Sequence, residues 1–307
     1  MPLYKRQEDK LFYANIAIKL PIQIADSYFD KAFEIMENID QKYNSYSPNS
    51  LLSAINNNAG NWTKVDETMF SILERGYGIC QLFGGQYDIS IFPLLELWGF
   101  YKKEAKVLPN AIDIQLALKK VDYRQIQFNE NAIKIGINQR LTTGSFLKAY
   151  AVDEVINFLK KENISAALIN AGGSTIYGLA DEHQPYWIAN IIAEKQQKPN
   201  SLFKIKLKNK CLSTSIQYQK PLILEGQEIG HILNAKTGFP TKNRQVGIIS
   251  ENAMLGDMLS TAFMTCSASS FKEKMSEIQS IWSDIEGFLI DESGEIYTSA
   301  HFSAYLL

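Results

Sequence analysis

Between residues 25 and 43 apolar and aromatic side chains recur at helical spacing. Tyr28, Ala32, Met36, Ile39 and Tyr43 fall on one stripe, which predicts an amphipathic helix. Residues 66–83 repeat the pattern, and Gly84-Gly85 predicts its C-terminal cap. A third helix is expected over about 145–162, burying Leu147, Ala151, Val155 and Leu159. Residues 12–20 read as a strand stopped by Pro21. Residues 125–137 alternate through Ile126, Phe128, Ile133, Ile135 and Ile137 about a turn at Asn129-Glu130-Asn131, which is a hairpin signal. The second half is richer in strands, expected over 166–170, 187–193, 203–207, 222–232 (folded at Glu225-Gly226-Gln227) and 246–250. Helices follow near 253–267 and 271–281, then a closing hairpin over 288–298 turned at Ser293-Gly294. Hairpins and helices in irregular order predict an α+β fold, not a doubly wound parallel sheet. Neither a repeat nor a linker interrupts the pattern, so the whole chain, 1–307, is expected to form one domain.

Composition narrows the function classes. A net charge of −2 argues against the broad basic face of a nucleic-acid-binding protein. The longest uncharged runs, 163–180 and 258–271, are broken by Asn, Gly, Ser and Thr, so no membrane span is expected. Three cysteines, Cys80, Cys211 and Cys266, form no CxxC pair, and Cys80 and Cys266 fall in helical patterns where a buried thiol is the expected role. The first ten residues are charged and lack the apolar core of a signal peptide.

Four segments carry candidate chemistry. In Leu141-Thr-Thr-Gly-Ser-Phe-Leu-Lys-Ala-Tyr-Ala-Val-Asp153, a strand is expected to run into Gly144-Ser145 and Ser145 to cap a helix. Lys148 then sits in the first turn, where its charge opposes the helix dipole unless an anion binds there; an exposed lysine near a cap is the plainer reading. Ala167-Leu-Ile-Asn-Ala-Gly-Gly-Ser174 reads as a strand ending in a glycine pair, either an ordinary turn or a place where Gly172 and Gly173 amides face phosphate oxygens. Asp257 and Thr261 share one face of an otherwise apolar helix, and these hard oxygens suit Mg²⁺ that takes its other ligands from water and phosphate. The alternative is an Asp near a helix start and a Thr bonded to its own backbone. His231, one of three histidines, lies beside the polar turn of His231-Ile-Leu-Asn-Ala-Lys-Thr-Gly-Phe-Pro240, where a structural role and a catalytic one both fit.

Taken in order, these segments resemble the ApbE family of FAD:protein FMN transferases. The family patterns FD-P-L-WGF, DLGG-AKGYAVD, a strand ending in GG, TSG-Y, HI-DP-TGYP and AD-(A/S)TA have counterparts here. They are Tyr87-Asp88 through Pro93-Leu94 with Trp98-Gly99-Phe100, Thr143 to Asp153, Asn170 to Gly173, Ser213-Thr214-Ser215 with Tyr218, His231 to Pro240, and Gly256-Asp257 through Thr261-Ala262. Tyr46-Ser-Pro-Asn-Ser50 and Asn56 also fit, and the likeness spans about residues 12–300. The resemblance implies a two-lobed fold with mostly antiparallel sheets and FAD in a groove between the lobes. It implies Mg²⁺ held by Asp257, Thr261 and a carbonyl near Leu147. FAD binding would involve Tyr87, Asp88, Lys148, Gly172, Gly173, Ser215, Tyr218 and His231, with Lys148, His231 and Asp257 in catalysis. FMN would pass as a phosphodiester to a threonine of a partner flavoprotein, with AMP released. Bacterial cell-envelope placement is common in the family.

The chain departs from the pattern at several points. Thr142 stands at the aspartate of DLGG, Ser145 at its second glycine and Ala149 at the glycine of KGY. Ile216-Gln217 replaces Gly-Asp, Asn234-Ala235 replaces Asp-Pro, and Ser174 stands where many members have aspartate. Fewer carboxylates imply weaker Mg²⁺ binding and fewer general bases. Two alternatives to transfer follow: an FAD-binding relative without turnover, or an FAD pyrophosphatase giving FMN and AMP.

Overall fold

The computed structural model describes residues 3–100, 107–192, 201–218 and 221–307. Its centre is an eight-stranded antiparallel sheet whose spatial order follows chain order: Tyr4–Leu11, Ala14–Pro21, Ala167–Ala171, Thr175–Leu179, Lys210–Ile216, Gln245–Ser250, Glu286–Ile290 and Ile296–Thr298. Eight helices accompany it among the described residues: α1 Ser27–Tyr43, α2 Leu51–Asn57, α3 Glu67–Leu82, α4 Phe92–Trp98, α5 Ala111–Leu118, α6 Leu147–Lys161, α7 Ala253–Phe263 and α8 Phe271–Ile281. The α+β reading is therefore correct, and the sheets are antiparallel throughout. No helix among the described residues is long and apolar enough to cross a membrane.

Both faces of the sheet are covered, and the two-residue strand period sorts side chains between them. Val246, Ile248 and Leu289 join the main core with α1, α3, α6, α7 and α8. Ile249, Phe288 and Ile290 point the other way, into a core closed by the Trp187–Ile192 and Ser201–Leu207 hairpin and by Phe302. A third apolar cluster joins α4 and α5 to Leu224, Ile229 and Leu233. It forms a smaller lobe, and a cleft separates it from the main core.

Local chemistry explains most boundaries. Asp66 caps α3 by accepting from Met69 N at 2.8 Å, and Gly84 and Gly85 leave it in left-handed conformations (φ 57° and 77°). The buried stripe of α1 is Phe29, Ala32, Met36, Ile39 and Tyr43, with Tyr28 only half-buried beside it. The expected strand into Gly144-Ser145 is absent; only an isolated bridge joins Arg140 to Ile91. Ser145 does not cap α6 either, because its hydroxyl pairs with Tyr87 Oη at 2.9 Å, and the helix starts one residue later than expected from a Ser145 cap, after Phe146. Helix α7 ends at Phe263, so Cys266 lies beyond it, though still buried. The strand expected over 187–193 runs to Ile192, and Ala193 lies outside the described residues.

Candidate active site

A cavity of about 240 Å³ opens between the main core and the smaller lobe. Lys148 from α6, Asp257 and Thr261 from α7, Thr214 and Ser215 from the sheet, Ser174 from the turn that enters strand Thr175–Leu179, and Tyr87 and His231 from loops all line it. Residues read as separate signals along the chain thus converge on one volume.

Helix α7 is pressed hard against the sheet. A Cβ on Gly256 would sit 2.4 Å from Ser250 Oγ and 3.1 Å from Ser213 Oγ, so only glycine allows this approach. The next residue, Asp257, is consequently buried at the cavity wall. Burial pushes its carboxyl up to about 6, against the pull of the Lys148 ammonium and a hydrogen bond from Thr175. One turn on, Thr261 Oγ1 lies 3.2 Å from Ser215 Oγ, which also meets Ser260 Oγ at 2.9 Å. Lys148 Nζ donates to Ser174 Oγ (2.8 Å) and Thr175 Oγ1 (2.7 Å). This arrangement places the Lys148 ammonium, the Asp257 carboxyl and the hydroxyls of Ser174, Ser215 and Thr261 around a half-enclosed space.

Among the described residues no three His, Cys, Asp or Glu side chains gather into a metal cage. The donor set still fits Mg²⁺: Asp257 and Thr261 offer hard oxygens, and phosphate and water would complete the shell. The Leu147 side chain is buried away from this lining, leaving only its carbonyl for the implied ligand role.

Other candidates take different parts. Tyr87 is buried, its phenol pushed well above 10 and so held protonated. Asp88 reaches the wall, but its oxygens accept from Ser90 N (2.8 Å), Ser90 Oγ (2.7 Å) and Tyr123 N (2.8 Å). It therefore shapes the loop that presents Tyr87. The glycine pair corrects an expectation: Gly172 N–H donates to the Asn15 carbonyl (2.9 Å) and Gly173 N–H to Asn170 Oδ1 (2.8 Å). Neither amide is left for phosphate; the pair provides the left-handed turn (φ 70° and 76°) and lines a neighbouring open groove with Tyr13 and Tyr46. Tyr218 lies outside the cavity lining. His231 faces the cleft with a solvent-open edge, and crowding lowers its pKa below 6.5, so the ring is neutral at pH 7.

The ApbE family model matches residues 13–282. This chain belongs to the ApbE family. Its curated relatives include an FAD:protein FMN transferase of Buchnera aphidicola, 27% identical over 230 residues, covering 72% of this chain and 67% of the relative. Another, from Escherichia coli, is 25% identical over 249 residues, covering 76% and 69%. In structure the chain resembles the ApbE protein of Thermotoga maritima (TM-score 0.88, 23% identity, 99% of both chains). It also resembles the apo flavinyl transferase ApbE of Pseudomonas stutzeri (TM-score 0.84, 20% identity, 99% and 97%).

Against the ApbE pattern, the lost carboxylates have identifiable replacements. Thr142 Oγ1 accepts from Gly144 N (3.1 Å) and lies 3.3 Å from Ser45 Oγ. Asn234 Oδ1 accepts from Lys236 N (2.9 Å) and Thr237 N (3.3 Å), folding the turn after His231. Gln217, fully buried, donates to the Ile232 and Thr241 carbonyls (3.0 and 2.8 Å) and accepts from Ile232 N (3.1 Å). Turn and clamp hydrogen bonds need an oxygen, not a charge, and these residues supply it. Gln217→Ala would strand the Ile232 N–H and the Thr241 carbonyl next to the His231 loop, while the Ile232 carbonyl keeps its bond from Thr241 N at 2.8 Å. The expected cost is about 2–3 kcal/mol in urea unfolding. A loss under about 0.5 kcal/mol would mean that the loop is held by other contacts.

Proposed function

We propose that this protein is an Mg²⁺-dependent FAD:protein FMN transferase that attaches FMN to a threonine of a partner flavoprotein and releases AMP. The observation that carries the reading is the convergence of Lys148, Asp257, Thr261 and Ser215 on one cavity with neutral His231 at its rim. Lys148 would bind the pyrophosphate, an anhydride linkage rich in negative charge, while Ser174 and Thr175 fix its ammonium. Asp257 and Thr261 would hold Mg²⁺, which neutralises phosphate charge when bound.

Transfer forms a bond from the acceptor threonine Oγ to the FMN phosphorus and breaks the bond from that phosphorus to the bridging oxygen. AMP leaves with that oxygen. The threonine proton needs an acceptor, and His231 has a free ring nitrogen for it near neutral pH. Activity should therefore fall as His231 protonates, at a pH below its ordinary 6.5.

The test is incubation with FAD, with Mg²⁺ or chelator, and with or without a peptide carrying D-x-(S/T)-G-A-T. Metal-dependent AMP release together with FMN on the peptide is the expected result. AMP and free FMN, with the peptide unmodified, would mean a pyrophosphatase. FAD bound but uncleaved would overturn the enzyme reading.

A further inference from the structure

Asp153 lies away from the cavity, yet it joins the two helices that build it. It is 8% exposed, five residues after Lys148 on α6. Its Oδ1 accepts from Ala253 N at 2.7 Å and its Oδ2 from Met254 N at 2.9 Å, the first two amides of α7. A second, local cap already serves the same helix end: Asn252 Oδ1 accepts from Leu255 N at 2.8 Å, and Gly256 N bonds to the Asn252 carbonyl at 3.1 Å. The amides that Asn252 leaves over are taken by a carboxylate from another helix, 100 residues distant in sequence. Arg75 on α3 adds positive charge near Asp153 and reaches Asn252 Oδ1 at 3.4 Å.

Resting on the functional reading above, we propose that Asp153 is a positioning residue that fixes α7 against α6, so that Asp257 and Thr261 on one helix meet the Lys148 end of the other. Two hydrogen bonds from one rigid carboxylate fix both the distance between the helices and the rotation of α7 about its axis. Asp257 lies four residues after Ala253 on the same helix, so a small rotation at the cap moves its carboxylate across the cavity wall. Residues that orient metal ligands without touching the metal typically govern affinity by about ten- to a hundredfold.

Mn²⁺ titration by electron paramagnetic resonance, at pH 8 with ADP as the pyrophosphate probe, tests this without turnover. Asp153→Asn keeps the size of the side chain but sets an amide donor against one N–H, so Mn²⁺ affinity should fall about tenfold. Asn252→Ala removes a cap from the same helix end without touching the α6 link. It should lower the unfolding temperature while Mn²⁺ affinity stays within about twofold, as a purely local cap would predict. Should Asp153→Asn fail to fold, Asp153→Ser, which is shorter and reaches at most one amide, is expected to give the same loss. Unchanged affinity in the Asp153 variants, or an equal loss in Asn252→Ala, would overturn the coupling alone. Wild-type protein that binds no Mn²⁺ with ADP would overturn the metal-site reading and the coupling with it.

Discussion

Asp257→Asn should lose Mg²⁺-dependent FAD cleavage by a factor of about a hundred to a thousand and yet unfold at a higher temperature than wild type at pH 8. The two effects share one cause. Asp257 is a carboxylate buried where its charge is poorly solvated, and its folded-state value is raised to about 6 from 3.8. A raised value means that the residue's contribution to stability is fully present below about 3.8 and lost as pH rises through about 6. At pH 8 the ionised form therefore costs on the order of 3 kcal/mol. Asparagine removes that cost but leaves Lys148 without its anionic neighbour, so a net gain of about 1–2 kcal/mol is expected. Thermal unfolding of both proteins at pH 8 and pH 4 checks this: the gap should close at low pH, where Asp257 is itself protonated. Mg²⁺ with ADP should raise the unfolding temperature of wild type only. A variant that is less stable at pH 8, or still active with metal, would remove Asp257 from the site.

The sequence made some of this visible through residue type and local spacing. Helix α3 follows from its period and cap, and α8 from its period, almost to the residue. The edge strand Tyr4–Leu11 did not, because its Lys5, Arg6, Glu8, Asp9 and Lys10 show no apolar alternation; charge is what keeps an exposed sheet edge from pairing with other chains. Thr175–Leu179 and Lys210–Ile216 were equally silent, since strands covered on both faces lose the alternating pattern. Helices α2, α4 and α5 span only seven or eight residues, too few to show a period. In the site, Lys148, Asp257, Thr261 and His231 stood out because charge or a lone histidine amid apolar or turn residues is conspicuous. Thr175, Gln217 and Asp153 did not, for their work lies in bonds to partners 15 to 101 residues away. Ser145 was misleading for the same reason: a local cap was the better reading until Tyr87 supplied a tertiary partner.

Lys148→Met is expected to weaken binding of FAD and ADP about ten- to a hundredfold while leaving riboflavin affinity within about twofold, because a charge-assisted hydrogen bond is worth about 1.5–3 kcal/mol. The ammonium has three donors, and two are taken by Ser174 and Thr175, which leaves one for a phosphate oxygen. Riboflavin carries no phosphate and gains nothing from it. Methionine keeps the length and apolar stem of the side chain, so the packing of α6 should survive. Arginine should not restore binding, since its planar fork cannot meet both hydroxyls and the phosphate from the same position. A second readout separates this role from general damage. Lys148 holds the Asp257 carboxyl down, so removing it should raise that group further and move the acid limb of the Mg²⁺-dependent rate to higher pH. Fluorescence titration with riboflavin, ADP and FAD, together with the pH profile, decides the matter. Equal losses for riboflavin and ADP, with the acid limb unmoved, would mean that Lys148 supports the fold at the start of α6 and does not touch the pyrophosphate.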